Sequence, residues 1–132
     1  MREILFRGKS RETGEWLYNM TISRHCYDDN EIFSYYIGAG SKTIDGKTLG
    51  QFTGLTDKNG KKIFESDILQ GTITSAWNKR LIRCKVVFEN GCFISVEKDI
   101  HGDSWGHKLR FAKDVEVIGN IHDNPELLEQ AK

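Results

Sequence analysis

Residues able to bind a metal ion gather most closely in the segment 99–107. Two aspartates and two histidines there offer the oxygen and nitrogen ligands that a divalent ion accepts. His25 and Cys26 are also neighbours, but adjacent residues of a strand point to opposite faces and do not converge on one ion. Because glycines and a serine separate the candidates in segment 99–107, we interpret it as a solvated loop and predict no metal site. The candidate ligands in it are Asp99, His101, Asp103 and His107.

Glu65 and Asp67 could work as a paired acid and base, since side chains two positions apart share one face of an extended segment. The simpler interpretation, which we favour, is that both carboxylates accept hydrogen bonds from backbone amides of a turn. We therefore predict no catalytic residues and no cofactor, and an unrecognised hydrolase is the third function that we consider.

A glycine-rich stretch at residues 38–43 ends in a lysine followed by a hydroxyl residue, Lys42 and Thr43. A phosphate-binding loop also requires a glycine directly before that lysine and the start of a helix after it. Ser41 precedes Lys42, and residues 44–46 make a poor helix start. We interpret the stretch as a plain connection and predict no nucleotide site.

A basic segment that begins with an aromatic ring gives the best local case for nucleic-acid binding. In a strand, Arg83 and Lys85 share one face, opposite Cys84. On small β-barrels, basic strands and loops follow phosphates while aromatic rings stack on bases. Nucleic-acid binding is therefore the alternative function. Its candidate residues are Trp77, Lys79, Arg80, Arg83 and Lys85.

Charge and apolar content set limits on the partners of the 132-residue chain. Nineteen basic and nineteen acidic residues cancel, which excludes a long-range field that would attract the whole molecule to nucleic acid or an anionic membrane. No apolar run is long enough to cross a bilayer, and the charged start does not suit a signal peptide. We expect a cytoplasmic protein with no membrane partner. An odd number of cysteines, Cys26, Cys84 and Cys92, indicates reduced thiols.

Alternating apolar and polar residues predict a mainly β fold with a short C-terminal helix. We expect an N-terminal antiparallel β meander over residues 1–48. Residues 49–132 should hold a junction, a small C-terminal β-barrel and the helix, unless both parts form one continuous domain. Two Asn-Gly pairs predict hairpin turns, because this dipeptide accepts left-handed backbone. The predicted strands cover residues 4–7, 16–22, 33–37, 68–73, 81–88, 92–96 and 115–121, and two short extended pieces should flank the turn at residues 57–60.

The C-terminal helix has a clear start signal. Asn124 is the expected N-cap, Pro125 the first helical residue and Glu126 a favourable charge in the first turn. So short a helix is marginal alone and must dock Leu127 or Leu128 on its own domain or on a neighbouring subunit.

The middle of the chain reads Gly-Gln-Phe-Thr-Gly-Leu-Thr-Asp-Lys-Asn-Gly over residues 50–60 and Ile-Phe-Glu-Ser-Asp-Ile over residues 63–68. Together with residues 2–7 and 116–128, it resembles the YopX family of phage and prophage proteins, and the likeness frames nearly the whole chain. The family-signature residues, for which a structural role is expected, are Gly50, Gln51, Thr53, Gly54, Leu55, Asp57, Asn59, Gly60, Glu65 and Asp67.

Three positions depart from the family pattern. Phe52 and Phe64 stand where tyrosine is common, and they keep the ring while losing a hydroxyl. Ser66 stands where glycine is common, which argues against a positive φ in the turn before Asp67. The resemblance implies a β-rich protein of phage or prophage origin in a bacterial host cell, and it supplies no catalytic residues.

The functional hypothesis that we favour is a non-enzymatic, phage-encoded accessory protein that acts as an interaction or self-assembling module. Many aromatic strand residues for so small a core, together with the short terminal helix, favour contacts between subunits. The expected partners are a homo-oligomer and a host or phage protein, while nucleic acid is the alternative.

Overall fold

A computed structural model describes residues 3–20, 22–26, 33–37, 42–74, 79–98, 104–108 and 115–129. Its backbone contacts divide the chain into two compact units, residues 1–52 and 53–132. A division by backbone contacts does not test whether the two parts fold independently. The predicted domain boundary after residue 48 therefore stays a prediction. The strands are β1 (Phe6–Lys9), β2 (Trp16–Met20), β3 (Ile22–Cys26), β4 (Phe33–Ile37), β5 (Lys42–Ile44), β6 (Gly50–Thr56), β7 (Lys62–Phe64), β8 (Asp67–Thr74), β9 (Lys79–Glu89), β10 (Cys92–Lys98), β11 (Ser104–Lys108) and β12 (Glu116–Asn120); the helices are a 3₁₀ turn, η1 (Gly46–Thr48), and α1 (Glu126–Glu129).

The N-terminal unit consists of antiparallel strands. β1 pairs with β2 on one side and with the start of β6 on the other, while β4 lies between β3 and β5. An isolated bridge between Ser10 and Ile44 joins the end of β1 to the end of β5. Gly8 is required at its position, because a Cβ there would collide with the side chain of Ile44.

The C-terminal unit is built on one antiparallel sheet in the order β11-β10-β9-β8-β12, curled into a half-barrel. Leu69 of β8 lies opposite Cys84 of β9, and both side chains face the core. The buried core cluster combines residues from this sheet with neighbours in sequence, and Phe93 and Val117 pack against it. Its members are Ile63, Leu69, Cys84, Val86 and Val115.

The opposite face of β8 and β9 is also covered near Ile68, whose side chain is fully buried. Helix α1 packs against β9, where the guanidinium of Arg83 donates to the carbonyl of Leu127 at 3.1 Å. The helix therefore packs on its own unit, while docking on a neighbouring subunit stays a prediction. It is a single turn, and Asn124 accepts the N–H of Leu127 with its backbone carbonyl.

The fold class is confirmed: mainly β, with an antiparallel N-terminal part, a barrel-like C-terminal sheet and a short terminal helix. Three segments differ from the expectation. The plain connection expected over residues 38–43 ends in strand β5, which pairs with β4. The single strand expected over residues 16–22 is two strands, β2 and β3. The solvated loop expected over residues 99–107 contains strand β11, because pairing with β10 overrides the loop-like Ser and Gly residues. Neither helix of the described residues is long enough to cross a membrane.

Candidate functional site

The signature segment is organised around Asp57, a carboxylate that is only 5 % exposed. One oxygen, Oδ1, accepts the N–H groups of Asn59 at 2.8 Å and Lys61 at 2.9 Å. The other oxygen, Oδ2, accepts the N–H of Val117 at 2.9 Å, from a strand 60 residues away in the sequence. Asp57 thus fixes its own hairpin turn and fastens that turn to β12.

These contacts also close the outer edge of β12. The N–H of Lys58 donates to the carbonyl of Val115 at 2.9 Å, so Asp57 and Lys58 occupy the places that a neighbouring strand would take. Unpaired strand edges invite association with other chains, and proteins commonly cover them. The Asp57 hairpin performs this covering at β12, whereas β11 ends the sheet on the other side.

The electrostatics of Asp57 agree with a structural role. Burial by itself raises the pKa of the carboxyl, but hydrogen bonds from the amides of Val117, Lys61 and Asn59, together with the charge of Lys61, lower it below 3.8. Asp57 is therefore ionised at neutral pH, and its carboxylate accepts hydrogen bonds from three backbone amides. A general acid would need the opposite shift.

A second corner of the signature lies between β7 and β8. Asp67 is 1 % exposed, and its Oδ2 accepts the N–H of Phe64 at 2.8 Å. Ser66 has a φ of 74°, so the expectation drawn from serine at this position was wrong: the turn does use left-handed backbone. Both backbone groups of Ser66 are bonded, its N–H to the Val86 carbonyl and its carbonyl to the Ile121 N–H, and these bonds hold it there.

The remaining signature residues lie in β6 and in the two turns. Thr53 Oγ1 donates to the Ile63 carbonyl at 2.8 Å and accepts the N–H of Leu55 at 3.2 Å, which links β6 to β7. Gly50 and Gln51 lie where β6 pairs with β1. Gly54 lies within β6, Asn59 and Gly60 lie in the Asp57 turn, and Glu65 precedes Ser66 in the second turn.

The C-terminal end of the family likeness is also a set of backbone contacts. Asn120 Oδ1 accepts the N–H groups of His122 at 3.0 Å and Asp123 at 2.9 Å. Asn124 bonds back to Asn120 through both its backbone N–H and its Oδ1. Only glycine fits at position 119, because a Cβ there would lie 2.5 Å from Asn124 Oδ1. The side-chain oxygen of Asn124 therefore serves the preceding turn, unlike a usual N-cap.

The predicted nucleic-acid residues fall on β9 and the chain before it. Arg83 donates from Nε to Gln70 Oε1 at 2.8 Å and from Nη1 to the Leu127 carbonyl, so it clamps the terminal helix. Lys85 is half-buried, opposite Ile68 of β8. Lys79 and Arg80 lie in the first residues of β9, where only their backbone is described, and Trp77 lies outside the described residues.

The structure describes only some of the residues that were considered as metal ligands. His107 lies in β11 and His25 and Cys26 in β3, while Asp99, His101 and Asp103 lie outside the described residues. Over the described ranges, no group of three His, Cys, Asp or Glu side chains could hold a metal ion. Cys84 and Cys92 are free thiols. Burial, offset by a hydrogen bond from Ser95 and reinforced by Glu97, raises the pKa of the Cys84 thiol to about 11, so it is no nucleophile.

A Gly-x-Ser-x-Gly spacing at residues 102–106, centred on Ser104, was overlooked when the sequence was interpreted as having no catalytic residues. In hydrolases this motif places the serine on a sharp turn between a strand and a helix. Ser104 is instead the first residue of β11, which continues as a strand paired with β10. The local backbone is therefore not that of a nucleophile elbow.

The N-terminal unit contains a feature that the sequence predictions missed. An open cleft of about 810 Å³ lies between the β1–β2 turn and the segment 44–47. Lys9, Arg11 and Lys47 bring three positive charges to its lining, against the single carboxylate of Asp45. The available sequence signal was the spacing of Arg7, Lys9 and Arg11 at every second position, which places cations along one side of a strand.

Comparison with known proteins supports the fold and the family. A family model described as YopX protein matches residues 5–129. The crystal structure of protein EF1440 from Enterococcus faecalis is similar, with a TM-score of 0.54 and 23 % sequence identity over 97 % of this chain and 99 % of that chain. At this identity the likeness shows the fold alone. No curated protein matches the sequence.

The fold and its anchors define a class: a small β protein whose signature residues hold backbone turns and strand edges in place. The chain belongs to the YopX family, because the family model covers nearly all of it.

Proposed function

We propose that this protein is a non-enzymatic interaction module that self-associates, encoded by a phage or prophage and acting in the cytoplasm of the bacterial host. One observation carries the proposal: Phe88, at the end of β9, is 55 % exposed although it is a large aromatic side chain. Phenylalanine has no polar group that would favour contact with water, so burial against a partner stabilises it.

The surroundings of Phe88 make it a rigid contact. Its ring lies 5.0 Å from that of Phe93 at an interplanar angle of 63°, an edge-to-face pair across the β9–β10 hairpin. The two-residue turn at Asn90 and Gly91 begins after the next residue, Glu89. Because a preorganised aromatic side chain loses little entropy on binding, it is a good centre for an interface. We assign the contact to a second copy of the chain, since a two-fold dimer places equal patches against each other.

The absence of enzymatic activity in this proposal is supported by the state of the best chemical groups. Asp57 and Asp67 accept hydrogen bonds from backbone amides in buried turns, and the Cys84 thiol is protonated at neutral pH. The family likeness supports phage or prophage origin, because phages and prophages are where that family is carried.

The two alternative functions, nucleic-acid binding and hydrolysis, have less support. Nucleic-acid binding through β9 would have to release Arg83 from Gln70 and from Leu127, which would free the terminal helix. Hydrolysis by Glu65 and Asp67 would need a carboxylate open to substrate, whereas Asp67 is fully buried.

Light scattering at micromolar protein concentration tests the proposal. We expect an oligomer for the unmodified chain and a shift to monomer for Phe88→Lys, with association weakened by at least about tenfold, as for loss of an interface hot spot. Leu81→Lys is the matched control, because Leu81 lies on the same strand and is equally exposed at 55 %. A monomeric unmodified chain, or equal effects of the two substitutions, would overturn the proposal.

A further inference from the structure

The cleft of the N-terminal unit is polar as well as large. Its volume of about 810 Å³ lies within the roughly 300–1,000 Å³ typical of small-ligand sites. Such sites are usually lined by apolar side chains, but Ile44 is the single apolar member of this lining, which is otherwise charged, hydroxylic or glycine. An anion would find several donors here.

The local charge contrasts with the charge of the whole chain. The complete sequence has equal numbers of basic and acidic residues, yet the cleft lining has three cations and one carboxylate. Arg11 and Lys47 are exposed at opposite sides, one in the β1–β2 turn and one in η1. The two segments are held together by backbone bonds from Arg11 N–H to the Thr43 carbonyl and from Asp45 N–H to the Lys9 carbonyl.

Aromatic rings continue from this cationic cleft along β2. The ammonium of Lys9, which lines the cleft, lies 5.4 Å from the centre of the Trp16 ring, and the guanidinium of Arg7 lies 4.7 Å from the same ring. Tyr18 follows on the same face, with its ring 6.2 Å from that of Trp16 and 46 % exposed. The sequence of groups is therefore cations, a tryptophan held between two cations, and a tyrosine ring that is 46 % exposed.

We propose that this cleft binds the phosphates of single-stranded nucleic acid, with Arg11 and Lys47 contacting the backbone and Tyr18 stacking on a base. Cationic grooves that follow the phosphates, combined with exposed rings that accept any base, are how proteins hold single strands without reading their sequence. The site belongs to the N-terminal unit, whereas the basic strand that the sequence predicted belongs to the other unit, and it goes beyond the proposed self-association through Phe88.

Fluorescence anisotropy of a short labelled oligothymidylate at low salt tests this site in the full chain. We expect Arg11→Glu and Lys47→Glu each to weaken binding by about tenfold and to lower the slope of log affinity against log salt by about 1. Tyr18→Ala should weaken binding by about tenfold while leaving the salt slope unchanged, because stacking releases no counterions. Melting by circular dichroism verifies that each variant is folded.

Lys58→Glu is the matched control, since Lys58 is an exposed lysine in a hairpin turn of the other unit and carries the same change in charge. It should leave binding within about twofold, the scatter expected of a screened surface charge. The proposal fails if the unmodified chain does not bind at low salt, or if Lys58→Glu weakens binding as much as Lys47→Glu. It also fails if only Lys85→Glu weakens binding, or if Tyr18→Ala binds the oligonucleotide as tightly as the unmodified chain.

Discussion

The dipeptide Asn-Gly occurs twice in this chain, and its two copies adopt different turns. At Asn90 and Gly91 both residues are left-handed, with φ of 53° and 82°, and they form a two-residue turn in which Glu89 lies opposite Cys92. This is the geometry of a type I′ hairpin. At the other copy only Gly60 is left-handed, with a φ of 82°, and Asn59 is not.

The difference comes from Asp57. Its carboxylate accepts the N–H of Asn59, and its backbone N–H donates to the Lys61 carbonyl at 2.8 Å, so the turn extends over residues 57–61. The Gly60 N–H then bonds to the Asp57 carbonyl at 3.0 Å, as in a type I turn followed by a left-handed glycine. The dipeptide thus predicts a turn, while a carboxylate two residues earlier determines its type.

The largest effect should come from removing that carboxylate. Asp57→Ala leaves the amides of Asn59, Lys61 and Val117 without their acceptor, and we expect a loss of about 3 kcal/mol in the free energy of unfolding, because buried unpaired N–H groups are costly. Urea unfolding followed by circular dichroism measures it.

Glu89→Ala is the control for this prediction, because Glu89 is an exposed acidic residue that directly precedes the other Asn-Gly pair. A surface substitution of this kind should stay within about 0.5 kcal/mol. If both variants unfolded at the same urea concentration, the two turns would be alike in stability and the central role of Asp57 would be wrong.

Acid should produce a smaller effect of the same origin, because a protonated carboxyl still accepts some hydrogen bonds. The folded-state pKa of Asp57 lies below 3.8, so its ionised form stabilises the fold at pH above the unfolded pKa, and this stabilisation is lost as pH falls through the folded pKa. We expect the difference in unfolding free energy between the unmodified chain and Asp57→Asn to be constant near neutral pH and to shrink in strong acid. A difference that instead grew on acidification would contradict the assigned direction.

Local patterns in the sequence predicted most of the strands, both Asn-Gly turns and the terminal helix, because alternation and turn chemistry act between near neighbours. Strand β11 was missed, since Ser104 and Gly106 have weak strand preference and pairing with β10 decides their conformation. The contact between Asp57 and Val117 could not be predicted either, because nothing in a single sequence connects residues 60 positions apart.

The candidate sites show the same limit. Arg83 looked available on the exposed face of a strand, yet the terminal helix returns to cover that face and binds it. The N-terminal cleft depends on Arg11 and Lys47 lying near each other, which follows from the pairing of the β1–β2 turn with the segment 43–45. The sequence shows that these residues are cationic, but it does not show that Arg11 and Lys47 lie near each other.

The smallest effect should separate the two asparagines themselves. Asn90→Ala places alanine in left-handed backbone and should cost about 1 kcal/mol, because the Cβ then approaches the following carbonyl. Asn59→Ala keeps the backbone N–H that bonds to Asp57 and needs no left-handed conformation, so it should cost only a few tenths of a kcal/mol, roughly the scatter of surface substitutions. Paired urea melts of the two variants give the comparison, with Asn90→Gly as a control that should retain stability because glycine accepts positive φ freely. Equal losses at Asn59 and Asn90 would mean that both turns require left-handed asparagine, and the distinction between them would collapse.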